Sequence, residues 1–399
     1  MDESYSGHTQ CVIGQFYAVP TSELVGMEYD SDYLPNPLDE KTMNGFKTFM
    51  SVPLSDTYQW NSTMIMLESL VEDMSPSQKR SLFDLITENA IKEFMRMVTT
   101  FEFYGQEEKA QVIDLVVLWS KLISLLDPEV SPTQQRKLVK KFTKMDLYNS
   151  DYIFIFAAKA EEIGLDEFSR ALLVKYFKKA TGLEIYERGG YYQKTDKQLY
   201  VSSRLLVQAN IQFIPKGISS LPDLRELVID NWINKHWKIK EIPEGLNLKK
   251  LKIAKTEISK IPFQPELKSL YIAESPVTDI SFITEIDSLE KLVLWDLPIQ
   301  ALPSYSMDSI KEKKLKVVTM GKTPQITSIP ESWGFLPKLE EIKYEGDDNK
   351  LFIPTSIRNR NCKLLLDEVT EIKLKIEYAD IVDQPPLKQN RKRSGYFRN

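Results

Sequence analysis

The chain has 399 residues, 42% hydrophobic and 27% charged, with a net charge of -5. That is an ordinary globular composition, long enough for about two or three domains, and its charge argues against wholesale binding to nucleic acid or to a membrane. Its cysteines, Cys11 and Cys362, and its histidines, His8 and His236, are too few and too scattered for a disulfide framework, a histidine metal cluster or a Ser/His or Cys/His relay.

The opening residues, Met1-Asp-Glu-Ser, lack the basic and apolar regions of a secretory signal, so a cytoplasmic location with reduced thiols is expected, with signal-less export left open. Residues 1–60 carry Pro20, Pro35, Pro37 and Pro53 among many aromatics. They read as an irregular aromatic and proline-rich segment packed on the next domain, with one short helix over Asp39 to Met50.

Residues 61–182 change to a helical period and are expected to form an α-helical domain. Ser75-Pro76 followed by Gln78 supplies an N-cap, a proline at the first helical position and a polar side chain that reaches back. Leu82, Phe83, Ile86, Ala90, Phe94, Met97 and Val98 then lay one apolar stripe along that helix. The same opening returns at Ser131-Pro132, which marks either a duplicated helical hairpin or one capping solution used twice. Between the two, a helix from about Glu107 to Leu126 is apolar on nearly every side, which predicts a central position in the bundle. Its most apolar run, Val112 to Leu126, is interrupted by Asp114, Ser120 and Lys121 and falls short of the ~20 residues that a bilayer requires. No membrane span is expected. Helices over roughly Asp151 to Ile163 and Asp166 to Ala180 are punctuated by Gly164 and Gly182, each suited to a left-handed helix end. Their small and aromatic residues fit either a tetratricopeptide-type hairpin or any tight antiparallel pair.

Residues 183–383 are organised by one phrase that returns six times: Leu224-x-x-Leu227-x-Ile229, Leu248-x-x-Leu251-x-Ile253, Leu267-x-x-Leu270-x-Ile272, Leu289-x-x-Leu292-x-Leu294, Leu315-x-x-Val318-x-Met320 and Leu339-x-x-Ile342-x-Tyr344. Most copies are followed by an Ile-Pro or Leu-Pro pair, as at Ile242-Pro243, Ile261-Pro262, Leu302-Pro303 and Ile329-Pro330. Successive side chains of a strand point to opposite faces, so the fourth and sixth positions of each phrase enter a common core and the fifth faces out. No such strand buries its own apolar face, so the copies stabilise only as an array. Proline lacks an N–H and suits the return segment rather than the ladder.

This pattern resembles the leucine-rich repeat family, in the proline-bearing form familiar from intracellular and bacterial versions. The resemblance implies an α/β architecture, an N-terminal α-helical domain followed by a C-terminal solenoid with a parallel strand ladder. The Asn that usually follows the strand in that family is replaced by Thr256, Ser275, Leu297 and Thr323. Thr and Ser tie up turn backbone more weakly, and Leu297 cannot, so a looser or differently turned repeat is expected there. An insertion, Trp232 to Trp237, lengthens the second repeat. Gly189-Gly190 between Leu183-Glu-Ile-Tyr and Tyr191-Tyr192 reads as a hairpin that caps the array, together with a degraded repeat around Leu205, Val207, Ile211 and Ile214. Leu364 to Ile376 is expected to add one or two closing strands.

Residues 384–399 form a basic tail without an acid, able to contact phosphate or simply solvated. No glycine-rich phosphate loop, G-x-S-x-G or kinase-like set is present, and no cofactor is implied. Cys362 follows the array as the catalytic cysteine does in bacterial effector ubiquitin ligases. The Cys-x-Asp arrangement of that family is absent, however, and Cys362 is expected to be a small buried core residue.

What remains is the outward row of the ladder, Val228, Lys252, Tyr271, Val293, Thr319 and Lys343, with Trp295 just beyond. An aromatic centre with a polar rim suits a protein partner; the alternatives are a face covered by the chain's own N-terminal segment or a register shifted by one. The leading reading is a non-enzymatic scaffold or adaptor that binds a protein through the concave face of its repeats, with no nucleic acid expected. The alternatives are a bacterial effector secreted without a cleavable signal and acting on host proteins, and an enzyme whose activity resides in the helical domain.

Overall fold

A computed structural model of the chain describes residues 64–65, 67–100, 106–143, 150–186, 204–208, 211–230, 238–346, 351–358 and 362–366. The expected helix at Asp39 to Met50, the packing of residues 1–60, Tyr191-Tyr192, the Trp232 to Trp237 insertion, Ile372 to Ile376 and the basic tail lie outside them. The chain divides into two compact units, Met1–Leu248 and Lys249–Asn399.

In the first unit, helix α1 (Pro76–Thr100) opens on the capping box that its sequence announces: Gln78 N–H donates to Ser75 Oγ at 3.3 Å, and Ser75 N–H donates to Gln78 Oε1 at 2.8 Å. Helix α2 (Gln106–Leu126) follows, then α3 (Pro132–Val139), where Ser131 again caps. Here the second glutamine, Gln134, donates instead to Asp84 Oδ1 of α1 at 2.8 Å, and the helix stops after eight residues against 25 in α1. The two openings thus share the serine cap but not the reciprocal glutamine contact. Helices α4 (Ser150–Glu162) and α5 (Asp166–Phe177) complete the bundle. Gly164, at φ +77°, ends α4, with Leu165 N–H reaching back to Ala160 O. Gly182 instead opens a strand.

Phe156 of α4 centres the bundle, with the rings of Trp119, Phe94, Phe142 and Phe168 at 4.6, 5.1, 5.4 and 5.7 Å. These lie in the range where tilted and edge-to-face pairs add to plain burial. Burying Trp119 requires a partner for its indole, and Nε1 donates to Thr87 Oγ1. The buried Gln135 accepts from Phe168 N–H and donates to Val130 O, while Lys175 donates to Val139 O at the end of α3 and to Phe142 O beyond it. Burial holds the Lys175 ammonium below its usual pKa. Helix α2 is less enclosed than its composition predicts: Trp119 and Leu122 are buried, but Val117 and Leu125 border an open cleft with Lys159 and Glu162.

Among the described residues of this unit lie three strands, β1 (Gly182–Tyr186), β2 (Arg204–Gln208) and β3 (Glu226–Asp230). β1 pairs in parallel with β2 on one edge and with β3 on the other. Leu183 to Tyr186 is thus not an arm of an antiparallel hairpin, because both of its edges are taken. The helices are fastened to the return segment ahead of β3. The Glu161 carboxylate accepts the Lys216 and Gly217 amides, at 2.8 and 3.4 Å, where the 3-10 turn Lys216–Ser220 begins. A Cβ on Gly217 would stand 2.9 Å from Leu173 Cδ1 and 3.0 Å from Arg170 Cα of α5, so only glycine allows this approach.

The second unit is a ladder of β4 (Lys250–Ala254), β5 (Ser269–Ala273), β6 (Lys291–Trp295), β7 (Val317–Gly321), β8 (Glu341–Glu345) and β9 (Lys363–Leu366), every neighbouring pair parallel and in register. Leu251, Ile253, Leu270, Ile272, Leu292, Leu294, Val318, Met320, Ile342 and Tyr344 point inward and are fully buried. The Ile-Pro and Leu-Pro pairs sit in the return segments outside the strands, as the missing N–H demands. A short helix, α6 (Thr355–Arg358), lies in the return segment before β9. Cys362 is half-buried rather than a core residue.

Each strand from β4 to β7 ends on a charged residue in the left-handed region: Lys255, Glu274, Asp296 and Lys322, with φ of 53°, 45°, 50° and 48°. Its amide donates to the last carbonyl of the next strand, Ala273, Trp295, Gly321 and Glu345 respectively. Leu297 therefore does not loosen its repeat, since the corner at Asp296 matches the others. Its effect falls on the polar row behind the corner. Thr256 Oγ1 accepts from Ile258 N–H and bonds to Ser275 Oγ, which donates to Ala273 O. Leu297 breaks this chain, and the buried Thr323 Oγ1 has no hydrogen-bond partner among the described residues.

Replacing Glu161 by Ala should lower the urea stability of the first unit by about 1–2 kcal/mol and speed amide exchange at Lys216 and Gly217. Thr323→Val, which removes a buried unsatisfied hydroxyl at nearly constant volume, should raise stability by about 1 kcal/mol in the same assay.

Candidate functional site

Strand alternation sets the outward face of the second unit. The register aligns Lys252, Tyr271, Val293, Thr319 and Lys343 on β4 to β8 in one row, and all five are half-exposed. Neighbours in such a row stand about 4.8 Å apart. The row continues onto β9 with Leu365, also half-exposed, which the repeat phrase does not single out. Val228 is different. It lies on β3 in the first unit and is only 5% exposed, so it offers no surface.

One residue further along the strands, the aligned positions are Ala254, Ala273, Trp295, Gly321 and Glu345. The two alanines are buried and form a low floor beside the Trp295 ring. On its other side that ring lies on Gly321, where a Cβ would come within 2.2 Å of Cζ3 and 2.5 Å of Cε3. Glycine is required here by the ring, since its φ is unremarkable. A glycine in a strand marks a place where another group approaches the backbone closely, and here that group is the half-exposed Trp295 ring.

The charges on this face are largely engaged with its own groups. Lys252 Nζ stands 5.2 Å from the centre of the Tyr271 ring and Lys322 Nζ 6.0 Å from that of Trp295, both within reach of cation–π attraction. Lys343 pairs with Glu345, and Lys363 with Glu341 at 3.1 Å. Such exposed pairs contribute little to stability, and they leave Val293 as the half-exposed apolar centre of the face, flanked by the Tyr271 and Trp295 rings. Among the described residues no group of three or more His, Cys, Asp or Glu could hold a metal ion, and no helix is long and apolar enough to cross a membrane.

A recurring aliphatic phrase, a parallel in-register ladder and a left-handed corner after each of β4 to β7 are now established together. This half of the chain is a leucine-rich-repeat solenoid. No family model matches the chain, and no curated protein does. Among solved structures it is similar to the leucine-rich repeat domain of the type III effector XopL, with 18% identity and a TM-score of 0.37, over 64% of this chain and 95% of that one. The solenoid assignment rests on the ladder itself.

Spacing and alternation found Lys252, Tyr271, Val293, Thr319, Lys343 and Trp295 on the outward face but also named Val228, which is buried. The left-handed corners were not legible, because Lys, Glu, Asp and Lys stand where glycine or asparagine would have announced them. Gly321 carries a usable signal, a glycine at an outward strand position that the register sets opposite an aromatic.

Gly321→Ala should displace the Trp295 ring and lower the stability of the solenoid by about 1–3 kcal/mol. Combined with Trp295→Ala, most of that loss should vanish, so a double-mutant cycle by urea denaturation should return a coupling of about 1 kcal/mol or more.

Proposed function

We propose that the protein is a non-enzymatic scaffold or adaptor that binds a protein partner through the outward face of its solenoid. Lys252, Tyr271, Val293, Trp295, Thr319 and Lys343 form the contact, and Leu365 extends it. The observation that carries this reading is the seating of Trp295: a large aromatic, half-exposed, its ring packed on Gly321, with the half-exposed Val293 and Tyr271 beside it. Interface hot spots favour Trp and Tyr, and a ring ordered before binding loses little entropy on contact. Solenoid faces serve as extended binding surfaces because their rigid ladders present many side chains at fixed spacing. The helical bundle of the first unit supplies a second contact.

Crosslinked pull-down with the wild-type chain and with Trp295→Ala and Tyr271→Ala tests this. A protein recovered with the wild type should be lost from both variants, with an affinity loss of about 2 kcal/mol or more, roughly thirtyfold, for Trp295→Ala. Both variants should keep the circular dichroism of the wild type. An unchanged set of captured proteins rejects the site.

A further inference from the structure

The N-terminal shoulder of β4 to β7 differs from the rest of the solenoid in charge. Register sets Lys250, Ser269, Lys291 and Val317 side by side, and the residues just before them are Lys249, Lys268, Glu290 and Lys316. Lys314 stands next to this group. Lys249, Lys268, Lys291 and Lys314 are exposed. Glu290 is held below the ordinary carboxylate range by its hydrogen bond to Lys316, at 2.8 Å, and by the charges of Lys316, Lys268 and Lys314. One carboxylate thus sits among three ammonium groups and neutralises one of them. Lys249 and Lys291 have no ion-pair partner among the described residues. The next strand, β8, reverses the sign with Glu340 and Glu341.

Every positive charge between residues 249 and 346 is a lysine. Lysine presents a hydrated point charge on a flexible stem, without the fork by which arginine grips a single carboxylate or phosphate bidentately. A cluster of lysines of this kind fits carboxylates spread along a flexible chain.

We infer that the shoulder formed by Lys249, Lys250, Lys268, Lys291, Lys314 and Lys316 docks a segment rich in Asp and Glu on a protein partner. This rests on the partner reading above only in taking the ligand to be a protein. The lysines steer an acidic segment to the solenoid and fix its direction, with its apolar side chains reaching the adjacent Tyr271–Val293–Trp295 centre.

The test uses the full chain and a fluorescein-labelled peptide of about twenty residues alternating Glu and Ser, with fluorescence anisotropy at roughly 50 and 200 mM NaCl. The wild type should bind the peptide. Binding should weaken by at least about tenfold in the Lys268→Glu/Lys291→Glu/Lys314→Glu variant and at the higher salt concentration. A variant with Gln at the same positions should fall between the two, and Trp295→Ala should bind the peptide as the wild type does. Failure of the wild type to bind, or equal binding by the triple Glu variant with its circular dichroism intact, overturns the inference. Tighter binding of an oligothymidylate of equal length assigns the shoulder to nucleic acid and also overturns it. The outcomes separate from those of the partner reading, because Trp295→Ala should abolish partner capture without affecting peptide binding.

Discussion

The second unit depends on how each short strand is handed to the next. A five-residue strand cannot bury its own apolar face, and parallel stacking is what makes Leu251, Leu270, Leu292, Val318 and Ile342 into one continuous core. The chain must then leave each strand sharply without abandoning the ladder. It does so by placing Lys255, Glu274, Asp296 and Lys322 in the left-handed region, from which the amide still reaches the neighbouring strand's last carbonyl. For L-residues that conformation costs about 1–2 kcal/mol each. The hydrogen bonds gained at every corner and the core they keep in register offset it.

The same construction decides what the outward face can do. Because the inward positions are taken by aliphatics, the outward positions are free to vary, and they carry Lys, Tyr, Val, Thr and Lys in succession. The ladder holds these at fixed separations, so their arrangement is set before any partner arrives. Trp295 is the extreme case, since its ring fills the space over Gly321 that a side chain there would need. Its neighbours are small where they lie beneath it and charged where they lie beyond it.

In the first unit a similar logic acts through polar groups. The aromatic cluster around Phe156 supplies apolar burial, but the positions of the helices are set by Gln135, Lys175 and Glu161, each of which satisfies backbone groups at the end of another element. Unsatisfied helix and turn termini are costly when shielded from water. A few side chains that reach across to such termini therefore fix geometry more sharply than the packing of Phe and Leu alone.

The spacing of Leu224, Leu248, Leu267, Leu289, Leu315 and Leu339 by itself determined the ladder, its parallel sense and the inward and outward alternation, because a period of two and a return of some twenty residues leave few alternatives. Ser75, Ser131 and Gly164 likewise determined helix ends through local hydrogen bonding. Only the tertiary structure decided that β1 has parallel partners on both edges, that Val228 is buried, that Leu365 extends the outward row and that Gly321 is the seat of Trp295. Those features join residues far apart in the chain, whose side chains meet only once the strands are in register. Local propensity and periodicity cannot see such meetings, because the energy that settles them arises between repeats rather than within one.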